Sequence, residues 1–431
     1  MAKNPRNFAA HHDLGVAYME MREYQQAVQY LEAATQLDAR NPSAWYLLGI
    51  AHAELMNLDK AVEMWKQALK INPRHAPAHH FLGKIYALKG MLDGAAFHFR
   101  KAIDIQPEPQ HPLAHIYLGE VYTAMGDSQK AVEIWEEALK LQPDNGRLRA
   151  NLAGAYLDQR DLRKSIVEGL TALEVGEDTT TVRYNLGLAY SAAGQFEDAI
   201  RHLERCLELE PQDPRTYVNL GEAYAMHNQP ELAMQAWEKA IELNPKQTDA
   251  IFDIGIAKMQ AGDIDGALAQ WEQVLEIDPK FLRALINVGA IRASRGELDE
   301  ALAKWREAAE VDPKSSDIQL HLAGTYLRQG EVDKAEESAL RARELDPESG
   351  RGPLLTGIIK LRRGDSAGTL ADWTQANEVD PNFALTDAAF LRAILKPEEI
   401  KSLADQAKRS RDRKAQAAVA AVRSLYEMGR K

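Results

Sequence analysis

The sequence predicts an all-α array of helix pairs, and three observations lead there. Small residues, mostly glycine, recur in a register of 34. Inside each period two apolar faces recur at helical spacing. A short Gly–Asp break separates the two faces. Self-similarity at such a period is the mark of a stacked-repeat architecture.

Gly15, Gly49 and Gly83 are 34 apart, and Gly119 follows after 36. The register then runs at 34 through Ala153, Gly187, Gly221, Gly255, Gly289, Ala323 and Gly357. This sets eleven units over residues 8–383, with a two-residue insertion near Gln110 and His111. Residues 1–7 lead in and residues 384–431 follow.

When the register residue is numbered 8, position 7 is apolar from Leu14 to Leu322 and fails only at Thr356. Position 11 is mostly tyrosine: Tyr18, Tyr86, Tyr122, Tyr156, Tyr190, Tyr224 and Tyr326. Positions 7, 8 and 11 share one face of a first helix. Position 20 is often alanine, as at Ala27, Ala61, Ala131, Ala199 and Ala301. Position 24 is large, with Trp65, Trp135, Trp237, Trp271, Trp305 and Trp373. Positions 20, 24 and 27 share a face of a second helix. Small residues at 8 and 20 let two backbones approach, with the tryptophan filling the gap above.

Between the helices stand pairs such as Gly126-Asp127, Gly262-Asp263 and Gly364-Asp365. Glycine suits the left-handed residue that ends a helix, and aspartate suits the next N-cap. Asn228 takes the glycine place once, and Pro230 falls in the first turn of a second helix, where its missing N–H costs nothing. Position 32 is proline in nine units, from Pro73 to Pro381.

These residues resemble the tetratricopeptide repeat (TPR) family. The resemblance implies a right-handed superhelical α-solenoid. First helices line its concave side, second helices form its outer side, and each unit touches only its neighbours. The last unit is degenerate, with Pro353, Thr356, Lys360 and Thr369 where other units are apolar, aromatic or small. Beyond it, "ALTDAAFLRAIL" and a helical stretch from Pro397 to about Gly429 read as capping helices. Ile400, Leu403, Ala407, Ala418, Val422 and Leu425 form their apolar face.

Composition bounds the function. The chain is 45% hydrophobic and 27% charged, as folded proteins are. A lone cysteine, Cys206, excludes an intrachain disulfide and a cysteine-based zinc site, and is read as a buried small residue. The start, "MAKNPRNFAAHHDLG", lacks the apolar core of a secretion signal, and no apolar run is long enough to cross a membrane. A cytoplasmic protein without membrane insertion is expected. Net charge is −12; the segment from Arg392 onward carries +6, which leaves −18 on the rest. An acidic body argues against nucleic acid as partner.

The stripe formed by positions 2, 5, 6, 9 and 13 lies opposite the packing face, and in the family it lines the groove. Position 6 reads Asp13, Leu47, Phe81, Tyr117, Asn151, Asn185, Asn219, Asp253, Asn287, His321 and Leu355. An asparagine amide offers both donors and an acceptor, which matches a peptide unit. Related repeat domains hold extended peptide by its backbone with a similar asparagine ladder; asparagine is also common at this position whatever the ligand. Position 2 carries Arg147, Arg215, Arg283 and Arg351, with Asp249 and Asp317 in alternate units. These arginines either meet carboxylates of a bound segment or pair with the aspartates of neighbouring first helices. Units two to four instead present Tyr46, Leu47, Ile50, His80, Phe81, Ile116 and Tyr117, with Leu88 beside them. That composition suits an apolar peptide or amphipathic helix if exposed, or inter-unit packing if not.

The carboxylate clamp of some relatives needs lysine at position 5, which no unit has. His75 and His79, four apart in "HAPAHH", have metal spacing but no completing carboxylate. "KRSRDRK", Lys408 to Lys414, is either a site for an acidic partner or a solvated helix face lying against the acidic body. No phosphate loop, nucleophile elbow or dinucleotide fingerprint occurs, and little chain lies outside the repeats. The expectation is a non-enzymatic scaffold or adaptor without cofactor that binds protein or peptide. The alternative is a self-assembling or regulatory subunit of a larger complex that uses its N-terminal edge and outer face.

Overall fold

A computed structural model describes residues 7–105, 113–380, 395, 397–409 and 412–428. The described residues form 24 helices and no strand. The chain divides into two compact units, Met1–Gln229 and Pro230–Lys431. The all-α repeat architecture expected from the sequence is what the structure shows: helix pairs such as Pro42–Glu54 with Leu58–Ile71, and Thr248–Gln260 with Ile264–Ile277.

The turn inside each pair follows from one backbone conformation. Position 15 has positive φ in every unit. Glycine fills it at Gly90, Gly126, Gly194, Gly262, Gly296, Gly330 and Gly364, but Arg22, Met56, Arg160 and Asn228 adopt it too. The next helix is then capped as expected. Asp127, Asp161, Asp263 and Asp365 accept the backbone N–H of the residue three further on. Pairs are joined by a second turn, where Asn72, Asn244, Asp278 and Asp312 accept a backbone N–H two residues ahead.

Why position 8 must be small is visible in the contacts. A Cβ on Gly119 would lie 2.1 Å from the Trp135 indole, and one on Gly255 would lie 2.4 Å from that of Trp271. The same indoles donate from Nε1 to the carbonyl of residue 5: Trp65 to Tyr46, Trp135 to Ile116, Trp271 to Phe252 and Trp373 to Leu354, at 3.1–3.2 Å. The expectation that the tryptophans are core is met, since all six are buried. The fifth unit reverses the arrangement. Its position 8 is Ala153 and its position 24 is Gly169, and Leu186 of the next unit fills the space above Gly169.

Neighbouring pairs are pinned by a second recurring contact. The tyrosine at position 11 reaches the residue at position 25 of the preceding second helix. Tyr156 Oη donates to Glu136 at 2.5 Å and Tyr224 Oη to Glu204 at 2.6 Å, while Arg306 donates to Tyr326 Oη at 2.9 Å. Burial and the facing carboxylate hold the Tyr156 and Tyr224 hydroxyls protonated. Cys206 is buried against Thr216, and burial pushes its thiol up, as suits an inert core residue.

The degenerate last unit satisfies its polar residues locally. Thr356 and Thr369 donate to the carbonyls of Pro353 and Asp365, and Lys360 pairs with the buried Asp372 at 2.8 Å. After Pro397 the helical stretch is two helices, Pro397–Arg409 and Arg413–Met428. Ile400, Leu403, Ala407, Ala418 and Val422 are buried in one apolar cluster with Ile358 and Trp373. Arg362 pairs with Glu399 across this contact at 3.1 Å. Of the basic run, Lys414 meets Glu378 of the last unit, while Ser410 and Arg411 lie outside the described residues. So do the insertion at Gln110 and His111, residues 384–394 and the side chain of Leu425.

Candidate functional site

The stripe residues of units two to four form a connected aromatic cluster. Tyr46 and Phe81 have ring centroids 5.9 Å apart. His80 lies edge-on to Phe81 at 5.6 Å and 5.6 Å from Tyr117. Phe81 stacks on Trp65 at 5.4 Å, and Tyr117 on Phe99 at 5.6 Å. Tyr46, Leu47, Ile50, His80, Phe81 and Tyr117 are each half-buried. They therefore take part in packing and also keep some accessible surface. Ile116 is buried and is core. Burial, with Lys84 nearby, lowers the His80 imidazole to about 4, so the cluster is neutral at physiological pH. Lys84 Nζ lies over both Phe81 and Tyr117, 5.7 and 5.6 Å from their centroids.

Beside this cluster, His79 and His98 meet Nδ1 to Nδ1 at 2.8 Å, and His79 Nε2 is 3.2 Å from the Pro73 carbonyl. A carbonyl only accepts, so His79 carries its proton on Nε2 and His98 donates from Nδ1. His75, the other half of the metal-spaced pair, instead accepts the Ala78 N–H as a helix cap. No group of three metal-ligating side chains occurs among the described residues.

The asparagines of the stripe divide. Asn219 Nδ2 donates to Tyr184 Oη at 2.9 Å and to the Arg215 carbonyl at 3.0 Å. Its amide is committed to the scaffold through a tyrosine of the preceding unit that sequence reading passed over. Asn185 lies against Gly154, where a Cβ would come within 3.1 Å of its Nδ2. Asn151 Nδ2 is buried and has no hydrogen-bond partner. All four asparagines, Asn287 included, are half-buried.

Three of the four arginines have the geometry of neighbour pairing, and Arg215 does not make the expected pair with Asp249 among the described residues. Arg283 donates to Asp249 at 2.8 Å and Arg351 to Asp317 at 2.5 Å. Arg147 donates to Glu120 at 2.8 Å, and Arg215 turns back to Asp213 at 3.2 Å. Arg283 also lies over Phe252 and Phe281, 4.4 and 5.1 Å from their centroids. Two of these pairs, to Asp249 and Asp317, are legible from alternation at position 2; Glu120 at position 9 is not.

Sequence profiles for the tetratricopeptide repeat match residues 184–248 and 252–310, 18–85 and 292–352, 112–145, and 76–109. Together they span well over half of the chain. The chain belongs to the tetratricopeptide repeat family. Curated proteins give no match. Similar solved structures include YrrB, described as a TPR protein with an unusual peptide-binding site. It is 20% identical and covers 44% of this chain and 97% of its own, with a TM-score of 0.39. Pseudomonas aeruginosa pilF is 18% identical over 51% of this chain and 96% of its own, with a TM-score of 0.44. A MamA fragment from Desulfovibrio magneticus RS-1 is 19% identical over 40% and 96%, with a TM-score of 0.37. No helix among the described residues of this TPR chain is long and apolar enough to cross a membrane.

Proposed function

We propose that the chain is a non-enzymatic scaffold whose first-helix stripe docks segments of partner proteins. One observation carries the reading. At position 6 the scaffold does not dictate the side chain, which runs from Leu47 through Phe81 and Tyr117 to Asn151, Asn185 and Asn287. Repeat physics fixes positions 8 and 24 against each other in the same way along the chain, whereas the contacts at position 6 differ from unit to unit, as with Phe81 on Trp65 and Asn219 on Tyr184.

Unlike Asn219, Asn151 leaves its buried Nδ2 without a hydrogen-bond partner, and an unpaired buried N–H is stabilised by any acceptor that reaches it. An extended peptide supplies such acceptors at every residue. The arginines, paired on the surface at low cost, remain able to exchange Asp or Glu for a carboxylate of the segment. Residues 8–383 act as the binding array in this reading, and residues 384–431 cover its end.

The test uses peptides selected from a random dodecapeptide phage library on the full chain. Replacing Asn151, Asn185 and Asn287 together by Ala is expected to weaken a groove-bound peptide at least tenfold in fluorescence anisotropy, with the melting temperature nearly unchanged. Unaltered affinity for every selected peptide removes the asparagines from the site.

A further inference from the structure

We propose that the cleft between the first helices of units three and four is an anchor pocket for an acidic, apolar protein segment. One bulky aliphatic or aromatic side chain enters the cleft, and a carboxylate about one helical turn away on the segment pairs with Lys84. This rests on the scaffold reading and names the chemistry of the partner.

The cleft lies between Ala76–Leu88 and Leu113–Ala124, with the helix Leu92–Ile105 behind them. Its volume is about 330 Å³, and Leu88, Leu92, Phe99, Tyr117 and Val121 supply most of its wall. That volume is at the small end for ligand sites, enough for one or two side chains rather than a cofactor. Residues at two variable positions of the repeat line it. Phe99 stands where six other units carry tryptophan, so the floor lacks a second ring. Leu88 and Ala124 stand at position 13, a variable position that is charged at Glu20, Glu54, Asp158, Arg328 and Arg362 but apolar also at Ala192 and Met226, so the mouth here is apolar. Leu88 is 74% exposed, a large apolar side chain left at the rim of an apolar cleft.

Charge selects the occupant. The cleft carries two ionic side chains, Lys84 and Glu120. Arg147 neutralises Glu120 at 2.8 Å. Lys84 has no carboxylate within ion-pair distance among the described residues and is held over two aromatic rings. An ammonium left without an anion beside low-dielectric walls favours a ligand that brings one. Side chains three or four residues apart on a helix lie about 5–6 Å apart, which matches an apolar anchor in the cleft and an acid on Lys84.

Peptides are selected from a random dodecapeptide phage library on the full chain, and affinities are measured by fluorescence anisotropy. Enriched peptides are expected to share a bulky apolar residue with Asp or Glu three or four positions away. Ala124→Trp, which fills the cleft from its exposed rim, is expected to weaken them at least tenfold. Leu88→Glu, at a position 74% exposed, is the second variant and is expected to act likewise without loss of melting temperature. Lys84→Glu is expected to weaken binding, and a Lys in place of the peptide acid is expected to restore it. Peptides that ignore these variants but fail on the Asn151, Asn185 and Asn287 substitutions overturn the pocket and leave the scaffold reading standing. No enriched peptide at all overturns both. Saturable laurate binding that Ala124→Trp abolishes and no selected peptide displaces overturns the protein segment as occupant.

Discussion

Units two to four and units five to nine place different chemistry at the same positions of the same fold. At position 6 the first group has Leu47, Phe81 and Tyr117, and the second has mostly asparagine. The rings of the first group are half-buried and stacked on the core, Phe81 on Trp65 and Tyr117 on Phe99. The amides of the second group are half-buried and unequal: Asn219 is bonded to Tyr184, Asn151 Nδ2 is buried without a partner, and Asn185 lies against Gly154. A repeat can therefore vary its chemistry at this position in two ways: an aromatic residue extends the core into the groove, and an amide takes contacts that differ from unit to unit.

The largest expected effect breaks the comparison if it fails. Phe81→Ala removes a half-buried ring that touches Trp65, Tyr46 and His80. It is expected to cost about 2–3 kcal/mol, somewhat less than a fully buried ring. Asn185→Ala removes a side chain with no internal hydrogen bond and is expected to stay within about 0.5 kcal/mol. Denaturant unfolding checks both. Equal losses would mean that position 6 serves packing in both regions.

Acid separates the two compact units. Burial lowers the His80, His98 and His202 imidazoles from 6.5 to about 4, and all three lie in Met1–Gln229. His52, His75, His79 and His115 in the same unit are lowered as well. These groups take up protons more readily unfolded than folded, so their contribution is complete above about pH 6.5. It is lost progressively as pH falls towards about 4. Pro230–Lys431 contains one histidine, His321. Carboxylates lowered by partners, such as Asp59 beside Lys89 and Asp178 beside Arg183, act only below their ordinary 3.8. Hydrogen exchange at pH 5 against pH 7 is expected to show faster opening in the first unit and little change in the second. Uniform acceleration would overturn the assignment.

The fold was legible because its constraints are local and recur. The Gly–Trp complement, the position-15 turn and the aspartate cap each leave a one-letter mark at a fixed offset. The turn was only partly legible. Arg22, Met56 and Arg160 adopt positive φ because the array around them fixes the turn, so no local preference announces them. The site was legible as a stripe but not in its commitments. The Tyr184 hydroxyl removes Asn219 from the set of free amides, and Phe99 and Lys84 shape a cleft between two units. Both depend on contacts across 33 or more residues, or between successive helices, and a pattern read within one unit does not contain them.

Asn219 and Asn151 sharpen the point at intermediate size. Asn219→Ala loses two hydrogen bonds and is expected to cost about 1–2 kcal/mol. Asn151→Ala deletes a buried amide that has no partner and is expected to be neutral or slightly stabilising. Thermal unfolding of the two variants checks the order. The reverse order would show that Asn151, and not Asn219, is the structural member of the ladder.

The smallest effect concerns the arginines. Arg283 and Asp249 are both exposed, at 58% and 49%, so their double-mutant coupling is expected to be about 0–1 kcal/mol and to shrink with added salt. Arg283→Ala alone is expected to cost more than that coupling, because the guanidinium also covers the Phe252 and Phe281 rings. The comparison with Arg215 isolates this second part, since Arg215 is bonded to Asp213 in the turn before its own helix and has no ring stacked beneath it among the described residues. If both arginines cost the same, the aromatic cover contributes nothing. If Arg215→Ala and Arg283→Ala each leave stability alone but weaken a selected acidic peptide severalfold, these ion pairs are resting partners that a bound carboxylate displaces.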